Sequence, residues 1–498
     1  MTEQTNTYIK NKTVFELSSP GRQGIRFPDA DVPKADIPEN FLRDKLPLPE
    51  ISENEVVRHF TNLSRQNHSV DNGFYPLGSC TMKYNPKINE ETARLPGFTQ
   101  IHPFQPDITV QGALGLMHET QKWLGEISGF DAVSLQPAAG AHGELTGVLI
   151  MRAYHRYRGD TKRVKMLIPD SAHGTNPASS AMSGMEIVVL PSDERGNVDR
   201  EALKAECDDT LAGLMITNPN TLGLFDEHIE DVCQLVHDSG GLVYGDGANM
   251  NALLGICQPA KAGIDVMHFN LHKTFSTPHG GGGPGSGPVG VIAKLADFLP
   301  DPVVAITREE TENTLPLYEL VTPQHTIGRV GSYHGHFGVV VKAFTYMLTL
   351  GRNGLREVSE HAVLNANYIQ ALVKDTYHIP YERLCMHEFV AEGCWKDAPD
   401  IIALDVAKRL MDFGVHPPTN YFPLIVHEAL MIEPTETETK ETLDNFVEAL
   451  LQIAEEAHNE PEKLHQAPVN TPFGRFDEVK AAKDLILRTQ LPEDYGES

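Results

Sequence analysis

The chain has 498 residues, 40% hydrophobic and 22% charged, with 41 glycines and 34 prolines; this is a soluble globular composition, too long for one ordinary core, and two or three domains are expected. A net charge of −27 and a pI near 5.2 argue against nucleic acid or an anionic membrane as partner, since both need basic surface. The six cysteines (Cys80, Cys207, Cys233, Cys257, Cys385, Cys394) form no C-x-x-C pair, no basic-then-apolar leader opens the chain, and no apolar run nears the roughly 18–20 residues of a membrane span; the expectation is a cytoplasmic protein with reduced thiols.

Residues 1 to about 60 are rich in Pro, Asp and Glu with little apolar periodicity, and read as an extended arm. The stretch 1–110 adds two loops of small and turn residues, around Ser79-Cys80-Thr81 and around His102, which suit either a surface connection or a substrate-side loop. From Gly112 the pattern changes. Leu114, Met117, Leu124 and Ile127 recur at helical spacing and Gly129 closes the segment. Ala132–Leu135 is strand-like and leads through small residues, Gly140, Ala141 and His142, into a second helix; such a turn aims backbone N–H groups at an anion. The alternation repeats: strands at 164–168, 185–190, 211–217, 241–246, 264–270 and 289–293, with a helix at 228–237. Strands alternating with helices imply an α/β fold with a mostly parallel sheet, whose ligands bind beyond the carboxyl ends of the strands. His173, Thr221, Asp246 and Lys273 each fall just past such an end. The large domain is read as 111–330. A smaller α+β domain with a tail follows at 331–498, with helices at 339–350, 403–413 and 443–454, the last starting at Pro434-Thr435, a strand at 421–426, and a wrapping tail from His458.

Two motifs mislead by letter. Gly280-x-Gly282-x-x-Gly285 matches a dinucleotide fingerprint, but Pro284 and Pro288 flank it and a strand follows. His334 and His336 are spaced as on one strand face, with no third metal ligand in view, so no metal is expected. The four strand-end residues each read singly as a cap or turn residue. Jointly they make a pyridoxal 5'-phosphate site. Lys273 forms a covalent Schiff base, Asp246 pairs with the pyridinium nitrogen, His173 stacks on the ring, Thr221 donates to the phenolic oxygen, and the Gly140 turn binds phosphate. The glycine run beyond Lys273 is expected to be a close-packed wall beside the cofactor.

Longer motifs carry a family resemblance. Ser134–Pro137 with Gly140-Ala141, Gly245–Asn251, His268–Phe275 with its glycines, Tyr75–Lys83, Ile101–Phe104, and Phe422–Val426 through Glu433–Glu438 resemble the P-protein of the glycine cleavage system, over about residues 14 to 450. Single-chain members are about twice this length, so the chain resembles subunit 2 of the split bacterial type. The resemblance implies a type I aminotransferase-like fold, a partner subunit 1 in an α2β2 assembly, glycine as substrate, and transfer of its aminomethyl group to a lipoyl group on H-protein with loss of CO2. Asn270 and His272, in the lysine's motif, join the cofactor-binding set. Ser79, Cys80, Thr81 and His102 are expected on the substrate side. Two alternatives remain at this point: decarboxylation with simple protonation, and a non-catalytic scaffold subunit.

Overall fold

The computed structural model describes residues 12–42 and 48–485. They fall into two compact units, one holding the described residues up to Asn72 and from Pro468, the other running Gly73–Ala467. In the first unit a helix, Glu53–Ser64, interrupts the irregular chain. The Glu55 carboxylate starts it, accepting from the Ser52 hydroxyl (2.6 Å) and N–H (3.2 Å). No residue of that helix is buried. Among the described residues no helix is long and apolar enough to cross a membrane.

The second unit is built on a seven-stranded sheet: β1 (Ala132–Ser134), β2 (Lys165–Pro169), β3 (Glu186–Leu190), β4 (Leu211–Thr217), β5 (Leu242–Asp246), β6 (Val266–His268) and β7 (Val289–Val291). Their order is β1-β7-β6-β5-β4-β2-β3. All neighbours are parallel except those of β7, which runs against both β6 and β1. One reversed strand therefore leaves six carboxyl ends on a single edge. The sheet is covered on both faces, as its continuous apolar strands require. Leu167, Leu214, Ile216 and Val243 join one core, while Met166, Ile168, Met215, Leu242 and Tyr244 join another; neighbours in sequence alternate between the two. Helices α1 (Gln111–Ser128) and α2 (Gly140–Tyr157) lie on opposite sides of this division, Leu124 in the first core and Ile150 in the second. Gly129 closes α1 with φ 84°. A short helix, α3 (Thr175–Met182), follows β2. Strands β8 (Val303–Arg308) and β9 (Leu317–Val321) form a separate antiparallel pair.

The helix expected to stop at Leu350 continues. Helix α4 runs Phe337–Val373 and bends at Gly351, where φ is 60°, a conformation glycine adopts without steric cost. Its first part, through Val358, packs in the sheet's core; Ala366 onward packs in a third core with α5 (Ala403–Asp412) and α6 (Lys440–Asn459). The cores thus change over within α4, not at residue 330. A small antiparallel sheet, ordered β10-β12-β11, completes this part: β10 (Phe389–Glu392), β11 (Thr419–Asn420) and β12 (Ala429–Ile432). Residues 421–426 are a loop rather than the expected strand, since Tyr421 has φ 62° and Pro423 has no N–H for a ladder. Helix α6 starts at Thr439, whose hydroxyl accepts the Thr442 N–H at 3.2 Å, and not at Pro434-Thr435. The chain past His458 also begins inside the core: Pro461–Gln466 is helical and Leu464 is fully buried.

Candidate active site

Because β2, β4, β5 and β6 are parallel, the chain leaves all four on the same edge. His173 lies four residues past β2, Thr221 four past β4, Lys273 five past β6, and Asp246 is the last residue of β5. Strand β1 runs parallel to β6, so the Gly140 turn opens there too.

Asp246 is buried, and its Oδ1 accepts the Ala248 N–H at 2.8 Å. Burial acts to raise its pKa, but His268, Lys273, the Ala248 N–H and His173 outweigh this and hold the carboxyl below its usual range. His268, 3.4 Å from Oδ1, is itself pushed down to about 4 by burial, with Lys273 also lowering it. At neutral pH it is uncharged, so Lys273 and the Ala248 N–H keep Asp246 ionised there. The imidazole is fixed from both sides: Tyr244 Oη lies 2.6 Å from Nδ1, and the Asn270 amide donates to Nε2 at 3.1 Å.

His173 presents an accessible ring, edge-on to Phe422 with centroids 5.6 Å apart. Desolvation lowers its pKa and Lys273 adds to this, against the pull of Asp246, so the ring is neutral. Nδ1 lies 2.9 Å from the Thr175 hydroxyl, which donates to Glu144 Oε1 at 2.8 Å. Glu144, on α2, also accepts from Ser179 at 3.2 Å. Burial first, then the charge of Asp246, push Glu144 up to about 7.

The first-turn N–H groups of Gly140, Ala141 and His142 face out of an 18-residue helix with no side-chain cap, which is an anion-binding arrangement. The approach is too close for side chains: a Cβ on Gly140 would sit 2.3 Å from Asn270 Oδ1, and one on Gly287 2.0 Å from Ala139 O. Buried hydroxyls of Thr277 and Ser286 and Nδ1 of His279, along the lysine's own loop, have no partner. A flat group carrying a phosphate and a carbonyl fits this donor set. His142 and His272 shape the loops: His142 Nδ1 accepts the Ala138 N–H (3.1 Å) and His272 Nδ1 the Ser286 N–H (3.2 Å). Burial, helped by Lys273, pushes His272 down to about 3.

Some expectations change. Thr221 is buried and its only hydroxyl proton goes to the Ser171 carbonyl, not toward a ring oxygen. His102 is exposed, its ring beside those of Phe104 and Tyr333, and no contact joins it to Lys273. Only the second half of the glycine run is close-packed; Gly280–Gly283 are exposed, three of them at positive φ. His334 and His336 lie in a loop rather than on a strand, with His336 Nδ1 against Gly285 O (2.5 Å). The Ser79 loop does reach the lysine: Lys273 Nζ donates to Ser79 O at 2.7 Å. Cys80 beside it is not an activated nucleophile, because burial raises its thiol pKa despite Lys273. Sequence reasoning missed Glu144, His387, Glu388 and Glu433. Among the described residues His387, Glu388 and Glu433 form a buried group whose ligand atoms lie within 4.8 Å of one another. Glu433 stood within a quoted motif, but nothing local marked it as different from an ordinary acidic residue.

Similarity to known proteins bears on this site. Residues 151–282 match the aminotransferase class-V model, and 358–471 the model for the glycine dehydrogenase C-terminal domain. A probable glycine dehydrogenase (decarboxylating) subunit 2 from Caldanaerobacter subterraneus subsp. tengcongensis is 57% identical over 483 residues, covering 96% of this chain and 98% of the relative. The chain belongs to the family of glycine dehydrogenase (decarboxylating) subunit 2. A Thermotoga maritima protein described in the same words is also 57% identical, over 479 residues, covering 96% and 99% of the two chains. The fold of this subunit 2 family member resembles a crystal structure of glycine decarboxylase (P-protein) in inhibitor-bound form, with TM-score 0.71 and 21% identity over 84% of this chain and 93% of that one. A Burkholderia pseudomallei sphingosine-1-phosphate lyase shares the fold more distantly (TM-score 0.63, 16% identity, 86% and 96% covered). The protein is therefore an enzyme subunit of decarboxylating glycine dehydrogenase on a pyridoxal phosphate-type α/β fold.

Proposed function

We propose that the chain, paired with a subunit 1 in an α2β2 assembly, decarboxylates glycine on pyridoxal phosphate held covalently by Lys273 and passes the aminomethyl group to a lipoyl disulfide on H-protein. The observation that carries this reading is the meeting of Lys273, ionised Asp246 and neutral His173 beside the open end of α2, all at the carboxyl edge of one sheet. Pyridoxal phosphate, when bound, supplies the electron sink for the bond broken on loss of CO2. Asp246, ionised and buried, keeps a ring nitrogen facing it protonated. His173, uncharged, packs a flat face against a flat ligand without repelling a cation. The end of α2, with the Thr277 and Ser286 hydroxyls, supplies donors to a phosphate. Lys273 provides the amine, and Ser79 O accepts it when it is free. The names of the relatives support the partner subunit; the lipoyl step is what the resemblance to the P-protein of the glycine cleavage system implies.

The test is co-expression with a candidate subunit 1 and assay with lipoylated H-protein. Wild type is expected to show a visible absorbance band from the bound cofactor and lipoyl-dependent release of CO2 from glycine. Lys273→Ala is expected to lose both. Release of CO2 at full rate without any lipoyl acceptor would replace this reading with simple amino-acid decarboxylation.

A further inference from the structure

The turn that receives the Lys273 amine is held in an unusual way. Ser79 has φ 57° and Thr81 φ 43°, and neither is glycine. Such conformations persist only when surrounding structure enforces them. Two buried carboxyl groups do so here. Glu388 accepts the Ser79 N–H at 2.6 Å and its hydroxyl at 3.1 Å; Glu433 accepts the Thr81 N–H at 3.0 Å and its hydroxyl at 2.6 Å. Asn249 also donates to Glu388, at 3.1 Å. The register of the small sheet explains the pairing: Phe389 of β10 lies opposite Ile432 of β12, so the ladder's next step brings Glu388 and Glu433 together. His387 sits between them, fully buried, with Nε2 3.9 Å from each carboxylate and neither ring nitrogen hydrogen-bonded.

We propose that Glu388 and Glu433 are positioning residues for Lys273: as a clamp on the Ser79–Thr81 turn they present the Ser79 carbonyl to the lysine amine each time glycine's nitrogen displaces it. This rests on the cofactor-holding role assigned to Lys273. In the exchange, the carbon–nitrogen double bond to Lys273 gives way to one to the glycine nitrogen. The two hydrogens of the glycine amine pass to the lysine nitrogen, so no co-reactant is needed. An amine released in a half-buried site requires an acceptor, and the Ser79 carbonyl, 2.7 Å from Nζ, is one. A turn free to relax would carry that carbonyl away.

The groups facing the clamp are Lys273, Cys80, His387, Glu436 and Lys83. Burial pushes His387 down to about 3, so it brings no charge at neutral pH. Two carboxylates cannot both ionise cheaply in this space. Burial, then Glu433, raises Glu388 well above its ordinary range; burial raises Glu433 to about 7, against Thr81 and Lys273. Glu388 therefore keeps its proton through neutral pH, and Glu433 loses its own as pH rises through about 7, which leaves one negative charge near the lysine above that pH.

The experiment uses the assembled enzyme and four variants: Glu388→Ala, Glu433→Ala, Glu433→Gln and Lys273→Ala. Mixing with glycine alone, without H-protein, reports the exchange as a change in the absorbance band. Hydrogen exchange of the Ser79 and Thr81 amides in cofactor-free protein reports the clamp. The alanine variants are expected to keep the resting band, lose amide protection, and slow the spectral change at least about tenfold, as misplacement of a reacting group does. Glu433→Gln, shaped like the protonated carboxyl, is expected to recover most of that loss and to flatten the decline in wild-type exchange rate above about pH 7. Lost amide protection with an unchanged exchange rate would overturn the proposal. A wild-type band that survives Lys273→Ala would instead overturn the reading of the lysine, so the two failures are distinct.

Discussion

Lys273 stands between two sets of acids treated in opposite ways. On the sheet side one carboxyl, Asp246, is surrounded by a lysine, a backbone N–H and histidines, and is held below its usual pKa range. On the clamp side two carboxyls, Glu388 and Glu433, share one small space and are pushed up, Glu433 to about 7. Both sides are buried, so burial alone does not decide. The neighbours do: at Asp246, His268, Lys273, a backbone N–H and His173 together outweigh burial, whereas at Glu388 burial and the second carboxylate, and at Glu433 burial, outweigh Lys273. On the proposed function, the ionised Asp246 supplies a fixed negative charge to a ring nitrogen, while the buried pair supplies acceptors to a turn.

The largest effect expected from breaking this contrast is at Asp246. Asp246→Asn keeps the shape and an acceptor for Ala248 but removes the charge. It is expected to lower kcat about 10²–10³-fold, the scale of a preorganised electrostatic group, while Glu433→Gln costs far less because it resembles the protonated acid. Steady-state kinetics on the assembled enzyme compare them directly. Equal losses would mean that charge state does not distinguish the two sides.

A second, intermediate effect is on stability. Glu433 titrates at an ordinary 4.5 when unfolded and about 7 when folded. A raised folded pKa favours the protonated form, so its contribution is fully present below about 4.5 and is lost as pH rises through about 7. Glu144, also raised to about 7, acts with the same sign. Asp246, lowered, behaves oppositely, stabilising above its ordinary 3.8 and losing this as pH falls through its depressed value. Buried His268, His272 and His387, with lowered pKa values, act in the opposite sense over the same range, so the test is a difference: the melting temperature of cofactor-free wild type relative to Glu433→Gln should fall as pH rises from 4.5 through about 7. A difference that stays constant would show that the clamp pair does not hold its proton in the folded state.

The two sides also differed in how far residues alone disclosed them. The sheet side was legible because each strand is a continuous apolar run followed at once by a polar residue, and parallel strands place such residues on one edge. The failures there concern direction, not place: Thr221 lies at the edge, yet its proton goes to Ser171 O. The clamp side was illegible because it depends on the register of β10 against β12 and on a contact between Ser79 and Glu388, which are 309 residues apart. Nothing near Glu388 signals that its neighbour will be Glu433. Helix α4 was cut short for a related reason: the glycine at 351 reads as a stop, whereas packing on both sides carries the helix through a bend.

The smallest predicted effect sharpens the sheet side. His173 is the group there held by a neutral link, through the Thr175 hydroxyl to Glu144. Thr175→Ala removes that link while leaving Asp246, Lys273 and the ring itself in place. A single neutral hydrogen bond contributes about 1 kcal/mol, so kcat should fall about fivefold. Thr175→Ser, which keeps the hydroxyl, should restore it. The pH profile carries more information than the rate. If Glu144 only orients His173, losing the link should leave the shape of the profile near pH 7 unchanged. If Glu144 exchanged protons with the reacting groups through Thr175 and His173, the profile would lose a limb and the rate loss would approach that of Asp246→Asn. In that case the sheet side would hold a working acid as well as a fixed charge, and the contrast with the clamp would narrow to Asp246 alone.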